Sequence, residues 1–207
     1  MIRMNENKGI LMILSGPSGS GKDTVLDCLT AMDDSFRVSI SMTTREIRDN
    51  EIDGVNYYFT NREYFEKQIS DNQVLEFAEY AGNYYGTPKA PVDKMLSEGK
   101  NVVLKIEVQG AAKIRKIYPD VVSIFLMPPS MSVLEKRLRG RGSEDEETIN
   151  HRLYIAGQEI KRANEYDYIV INDEIEEAAK KIQTIIAAEK MKTARNKNII
   201  SEVIKNV

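Results

Sequence analysis

The stretch Gly9-Ile-Leu-Met-Ile-Leu-Ser-Gly-Pro-Ser-Gly-Ser-Gly-Lys-Asp-Thr-Val25 decides the fold. Its apolar run, residues 10–14, predicts a buried strand. The run breaks into a glycine-rich turn between Gly16 and Gly21. Lys22 follows at once, and Val25, Leu26 and Leu29 then share one helical face. Glycines let backbone N–H groups turn inward without a Cβ clash. Those donors and the positive end of the following helix make a nest for phosphate oxygens. Lys22 adds a mobile point charge for the outermost phosphates.

Gly16-x-x-x-x-Gly21-Lys22, between a strand and a helix, is the P-loop spacing and predicts a nucleoside triphosphate site. Its expected residues are Gly16, Pro17, Ser18, Gly19, Ser20, Gly21, Lys22, Asp23 and Thr24. The pattern ordinarily ends in Ser or Thr as a magnesium ligand. Here that position holds Asp23, and Thr24 comes one place later.

Outward from the loop, apolar runs at 36–41, 102–107, 121–127 and 168–171 predict further strands. Helical stretches are expected at about 88–99, 108–117, 130–139, 148–165 and 174–192. Short apolar strands separated by helices indicate an α/β fold, a parallel core sheet covered on both faces. Ligands bind such sheets beyond the carboxyl ends of the strands, which puts the loop, Ser41 and Glu107 at one rim. Two regions break the alternation. Residues 42–87 read as a small β-rich insertion with one helix near 61–70. Residues 139–150 combine glycines with charge and read as a mobile surface segment. A basic stretch (Lys190, Lys192, Arg195, Lys197) precedes Ile199, Ile200, Val203 and Ile204 at helical spacing. These predict a terminal helix docked on its own domain or on a twin subunit.

The 207 residues suit one domain with a sizeable core. A net charge of −3, from 29 basic and 32 acidic residues, argues against general nucleic-acid binding. Cys28, the single cysteine, excludes an internal disulfide and fits a reducing compartment. No apolar run reaches membrane-spanning length, and residues 1–8 lack a signal peptide's apolar segment. A cytoplasmic protein with no membrane partner is expected.

Several ordered stretches together resemble the guanylate kinase family. They are the loop itself, Ser39-Ile-Ser-Met-Thr-Thr-Arg45-x-x-Arg48, Gly54-Val-Asn-Tyr57-Tyr-Phe59 and Glu76-Phe-Ala. The others are Gly82-Asn-Tyr-Tyr85-Gly-Thr87, Ile106-Glu-Val-Gln-Gly110, Arg137-Leu-Arg-Gly-Arg-Gly142 and Ile169-Val-Ile-Asn-Asp173. The match covers about residues 8–187. The resemblance implies a three-layer P-loop NTPase fold with a GMP-binding insertion and a mobile lid. It implies transfer of the γ-phosphoryl of ATP to GMP, also dGMP, giving GDP and ADP, with Mg2+. The implied parts are a core (1–41, 88–138 and 153–188), a GMP-binding region (42–87), a lid (139–152) and a C-terminal extension (189–207).

The residues make chemical sense of that reaction. Two polyanions must meet, so their charge must be neutralised. Arg45 and Arg48 offer guanidinium forks that match a phosphate bidentately. By resemblance they hold the GMP phosphate with Tyr57 and Tyr85. Guanine presents N1–H and N2–H₂ donors, which a buried carboxylate can accept. Glu76 fits the family's guanine-binding glutamate, and Ser41 and Thr87 fit its hydroxyl partners. Glu107 is expected to orient magnesium through water or to bind the nucleoside part of GMP; Thr24 is the other metal candidate. Where the family's strand usually ends acid-x-acid, this chain has Lys105 before Glu107, and Lys105 is expected to pair with Asp23.

Arg137, Arg141 and Arg152 match the family's lid arginines and, with Lys22 and Arg45, form the expected catalytic set. Arg139 and the acidic group 144–147 are expected to be solvated, the latter as a helix start. Asn172 is expected near the adenine of ATP or as the cap of the next helix. Two other readings remain open on sequence alone. One is a non-catalytic guanylate-kinase-like module that binds phosphorylated or acidic peptides. The other is a kinase for another nucleoside monophosphate. Monomer and homodimer are equally compatible with the sequence.

Overall fold

A computed structural model describes residues 8–140 and 145–205. The chain begins with β1 (Leu11–Ser15), turns through the glycine loop, and enters α1 (Lys22–Met32). It continues through β2 (Phe36–Val38), β3 (Met42–Thr43), β4 (Tyr58–Phe59), α2 (Arg62–Ser70), β5 (Val74–Tyr80) and β6 (Asn83–Pro88). Then come α3 (Lys89–Ser97), β7 (Asn101–Lys105), α4 (Val108–Ile117), β8 (Val122–Met127), α5 (Met131–Arg139) and α6 (Glu146–Lys161). A short 3-10 turn (Arg162–Glu165), β9 (Tyr168–Ile171), α7 (Ile175–Met191), a second 3-10 turn (Thr193–Arg195) and α8 (Lys197–Lys205) complete it.

Five strands form one parallel sheet in the order β2-β7-β1-β8-β9. The loop-bearing strand β1 is central, so Met12, Ile13 and Leu14 are fully buried. Helices cover both faces, as a parallel sheet requires. On one face Val25, Leu26 and Leu29 of α1 pack with Ala178, Ile182 and Ile186 of α7 against Leu14, Val103 and Leu126. On the other, Val92 and Leu96 of α3 join Ala111 and Ile114 of α4 over Ile13 and Leu104. Fully burying each Val, Leu or Ile among them contributes about 1.5–3 kcal/mol.

The insertion builds its own four-stranded sheet, in the order β4-β3-β6-β5. Its small core centres on Phe65 of α2, which stacks on Tyr84 at 5.2 Å between ring centroids and meets Phe77 edge-on at 6.4 Å. The expected β-rich insertion with one helix is therefore present.

Several boundaries differ from the sequence reading. The strand expected at 36–41 ends at Val38. Ser39 N–H still donates to Val103 O, after which the chain leaves for the second sheet, and Ser41 lies in the link. The strand expected at 102–107 ends at Lys105, and Glu107 is the extended residue before α4. The helix expected at 148–165 starts at Glu146, capped by the Asp145 side chain, and its last turn tightens to 3-10 geometry.

The terminal helix exists, but it does not bury its apolar side on this domain: Ile200, Val203 and Ile204 are 53, 44 and 67% exposed. The basic stretch before it is anchored instead. The buried Glu189 carboxylate accepts from Tyr168 Oη at 2.6 Å and pairs with Lys192 and Arg195. Among the described residues no helix is long and apolar enough to cross a membrane.

Candidate active site

The loop is held from below and from the side. Ser15 Oγ donates to Ile106 O at 2.7 Å, tying the end of β1 to the chain after β7. Gly21 enters α1 at φ 91°, and a Cβ there would lie 2.4 Å from Asn172 Nδ2. Only glycine meets both the left-handed backbone and that approach. Asn172 Nδ2 donates to Ser20 O at 2.7 Å, and Arg137 reaches Asn172 O at 3.0 Å and Ser20 O at 3.4 Å. Asn172 thus braces the loop, and the N-cap position of α7 falls instead on Glu174, which makes no side-chain cap hydrogen bond. Lys22 Nζ folds onto Gly16 O at 2.5 Å and Pro17 O at 3.1 Å. Burial pulls its pKa below 10.5, partly opposed by the charges of Glu159 and Asp23.

The expected Asp23–Lys105 pair is formed, with Lys105 Nζ 2.5 Å from Asp23 Oδ1. Thr24 is exposed at the same helix start. Glu107, the extended residue before α4, acts electrostatically on both Lys22 and Glu76.

On the insertion side, Glu76 is only 9% exposed and accepts from Thr87 Oγ1 at 2.9 Å. A Cβ at Gly110 would come within 2.8 Å of Glu76 Oε2, so α4 presses its backbone against the carboxylate. Burial pushes Glu76 above the usual carboxylate pKa, with the Thr87 bond opposing. Ser41 is half-buried, and its carbonyl accepts from Tyr58 N at 2.8 Å.

Arg45 lies with its guanidinium 5.6 Å from the ring centroids of both Tyr57 and Phe59, and Tyr57 meets Tyr85 edge-on at 6.1 Å. Its Nη2 binds Glu51 Oε1 at 2.6 Å, while the other Glu51 oxygen accepts the Arg48 backbone N–H at 3.0 Å. Glu51 therefore spans the two arginines. The Arg45 hydrogen bond holds the Glu51 carboxyl below its usual range.

Two residues of this site escaped the sequence reading. Glu51 lies three positions after Arg48, in a polar turn where an acid looks solvated. Glu159 lies seven positions after Arg152, hence on the same face of α6, and its charge acts on Lys22. That helical spacing was the available signal for Glu159. Arg152 is half-buried on α6, and His151 is exposed. Arg139 is exposed, as expected, and from the surface joins Glu135 at 2.9 Å to Glu146, linking α5 to α6. Arg141 lies outside the described residues.

A raised carboxyl pKa means that folding favours the protonated form. The contribution is full below about 4.5 and is lost as pH rises toward the raised value, so at neutral pH the buried Glu76 charge costs stability. Glu76→Gln is expected to melt at a higher temperature than the parent at pH 7 and to lose that advantage in acid. Thermal melts at the two pH values check it. A lower Tm at pH 7 would contradict the electrostatic reading.

The central parallel sheet, the glycine loop between β1 and α1 and the inserted second sheet define a P-loop NTPase fold. Comparison with known proteins specifies it further. A family model for guanylate kinase matches residues 8–189. A guanylate kinase of Halalkalibacterium halodurans is 50% identical over 192 residues, 93% of this chain and 94% of the relative. That of Carboxydothermus hydrogenoformans is 46% identical over 189 residues, 91% of this chain and 93% of the relative. A crystal structure of guanylate kinase from Anaplasma phagocytophilum superimposes with a TM-score of 0.75 at 35% identity, covering 97% of both chains. The chain belongs to the guanylate kinase family.

Proposed function

We infer that the protein transfers the γ-phosphoryl group of ATP to GMP, and also to dGMP, releasing GDP and ADP. Family membership over residues 8–189 supports the reaction class. The single observation that favours guanine is the buried Glu76 carboxylate held by Thr87. Its free lone pairs suit the N1–H and N2–H₂ donors of guanine. Adenine, which lacks that donor pair, would leave the buried carboxylate unsatisfied, a strong basis for rejection.

In the proposed mechanism the Gly16–Lys22 loop grips the ATP phosphates, with Asn172 bracing it beside the adenine. Arg45, Arg48, Tyr57 and Tyr85 grip the GMP phosphate, while Glu76, Ser41 and Thr87 read the base. Lys22, Arg137, Arg141 and Arg152 offset the charge that spreads over the transferred group. A phosphate oxygen of GMP is already nucleophilic, so positioning and charge neutralisation carry the rate. Residues 42–87 and 139–152 serve as acceptor-binding region and lid on the core, and they close over both nucleotides.

Among the described residues no three His, Cys, Asp or Glu side chains cluster as a metal cage. That donor set fits Mg2+ arriving with nucleotide, since this ion uses one or two protein oxygens, substrate phosphates and waters. Thr24 and Glu107 are the oxygens available at the rim, and the bound ion would neutralise β- and γ-phosphate charge. The single cysteine suits a cytoplasmic enzyme. The intact loop lysine and the lid arginines weigh against a peptide-binding module.

ADP release measured with GMP, dGMP, AMP, UMP and dTMP as acceptors tests the assignment. GMP and dGMP should support turnover, and the others should fall by orders of magnitude. Equal use of AMP would contradict the role given to Glu76.

A further inference from the structure

The donor loop carries a charge that works against its ligand. Asp23 stands in the first turn of α1, where backbone N–H groups face any anion held by the loop. Its carboxylate acts on Lys22, the cation meant for phosphate. Left alone, it would repel a triphosphate and hold Lys22 in competition with it. Lys105 meets this carboxylate from the neighbouring strand. The β1–β7 register sets Lys105 opposite Leu14, just before the loop, and its Nζ lies 2.5 Å from Asp23 Oδ1. The two side chains are 43 and 75% exposed. Ion pairs so exposed add little to stability. The location of this pair at the phosphate mouth is therefore its informative property.

We propose that Lys105 is a positioning residue of the donor site, neutralising Asp23 so that Lys22 and the loop amides meet the triphosphate without an opposing carboxylate. The proposal rests on the assignment of the Gly16–Lys22 loop to ATP. Without Lys105, Asp23 turns its field on Lys22 and on the nucleotide. Without Asp23, Lys105 becomes a second unpaired cation at the mouth and attracts the nucleotide.

The test is calorimetric titration of ATP into the full chain and its variants, in EDTA and again with magnesium, alongside GMP titrations and thermal melts. Lys105→Met is expected to weaken ATP binding about 10–50-fold at low ionic strength, with the loss shrinking as salt rises. Its GMP affinity and Tm should stay close to the parent's. Lys105→Arg should retain ATP affinity. Adding Asp23→Asn to Lys105→Met should restore it to within about threefold, and Asp23→Asn alone should tighten binding severalfold.

Parental ATP affinity in Lys105→Met would overturn the proposal. So would a double variant as weak as Lys105→Met, because Lys105 would then act on the nucleotide directly and not through Asp23. Should Lys105→Met fail to fold, Asp23→Asn decides alone, and unchanged or weaker ATP binding there is the contrary result. Absence of ATP binding by the parent protein would overturn the donor-site assignment, and this proposal with it.

Discussion

Arg45→Met is expected to lower kcat/KM for GMP by about 10²–10⁴-fold while ATP affinity moves less than about twofold. The guanidinium sits against Tyr57 and Phe59, anchored by Glu51 Oε1 at 2.6 Å and Glu46 O at 2.6 Å. Its remaining N–H groups suit the acceptor phosphate. Each charge-assisted bond lost costs about 1.5–3 kcal/mol, and two such bonds set the expected range. Methionine keeps the stem's packing but removes the fork. Arg45→Lys should fall between parent and methionine, since it keeps the charge and loses the bidentate geometry. Steady-state kinetics with each substrate varied in turn checks this. Equal weakening toward ATP would remove Arg45 from the acceptor side.

The second large effect is expected at Lys22. Its ammonium, folded onto Gly16 O and Pro17 O, is the donor loop's own mobile cation. Lys22→Met should reduce kcat by about 10²–10³-fold, the scale of losing one donor aimed at developing charge. A rise in KM for ATP with kcat intact would instead make Lys22 a uniform binder. Because burial lowers the Lys22 pKa from 10.5, activity should begin to fall with rising pH below that value, as the ammonium loses its proton. A pH–rate profile of the parent reads this directly.

The core was legible because its signals are local. The apolar runs at 10–14, 121–127 and 168–171 match β1, β8 and β9 of the parallel sheet to within one residue, and the glycine loop fell where its spacing put it. The shortfalls arise where tertiary pairing overrides pattern. Residues 39–41 look like continued strand, yet the chain must cross from one sheet to the other there. β3 and β4 are two residues each, too short for any periodicity to show.

At the site, opposite-sign departures, Asp23 from the P-loop pattern and Lys105 from the guanylate kinase family's strand end, made the Asp23–Lys105 pair legible. Glu51 was not legible, because a charge in a polar run declares its partner only after folding, and the spacing of Glu159 from Arg152 gave its helix face but not its reach to Lys22. The same holds for Arg139, whose bridge from α5 to α6 needs Glu146 brought alongside.

The P-loop and the insertion are expected to grip two nucleotides within one cleft. Glu107, whose charge acts on both Lys22 and Glu76, puts the two halves within electrostatic reach of one residue. Competition by a bisubstrate mimic, adenosine and guanosine joined through a phosphate chain, tests this most directly. One molecule should bind per protein and displace ATP and GMP together, more tightly than either alone. Displacement of only one nucleotide, or binding of two mimics per chain, would contradict a shared cleft.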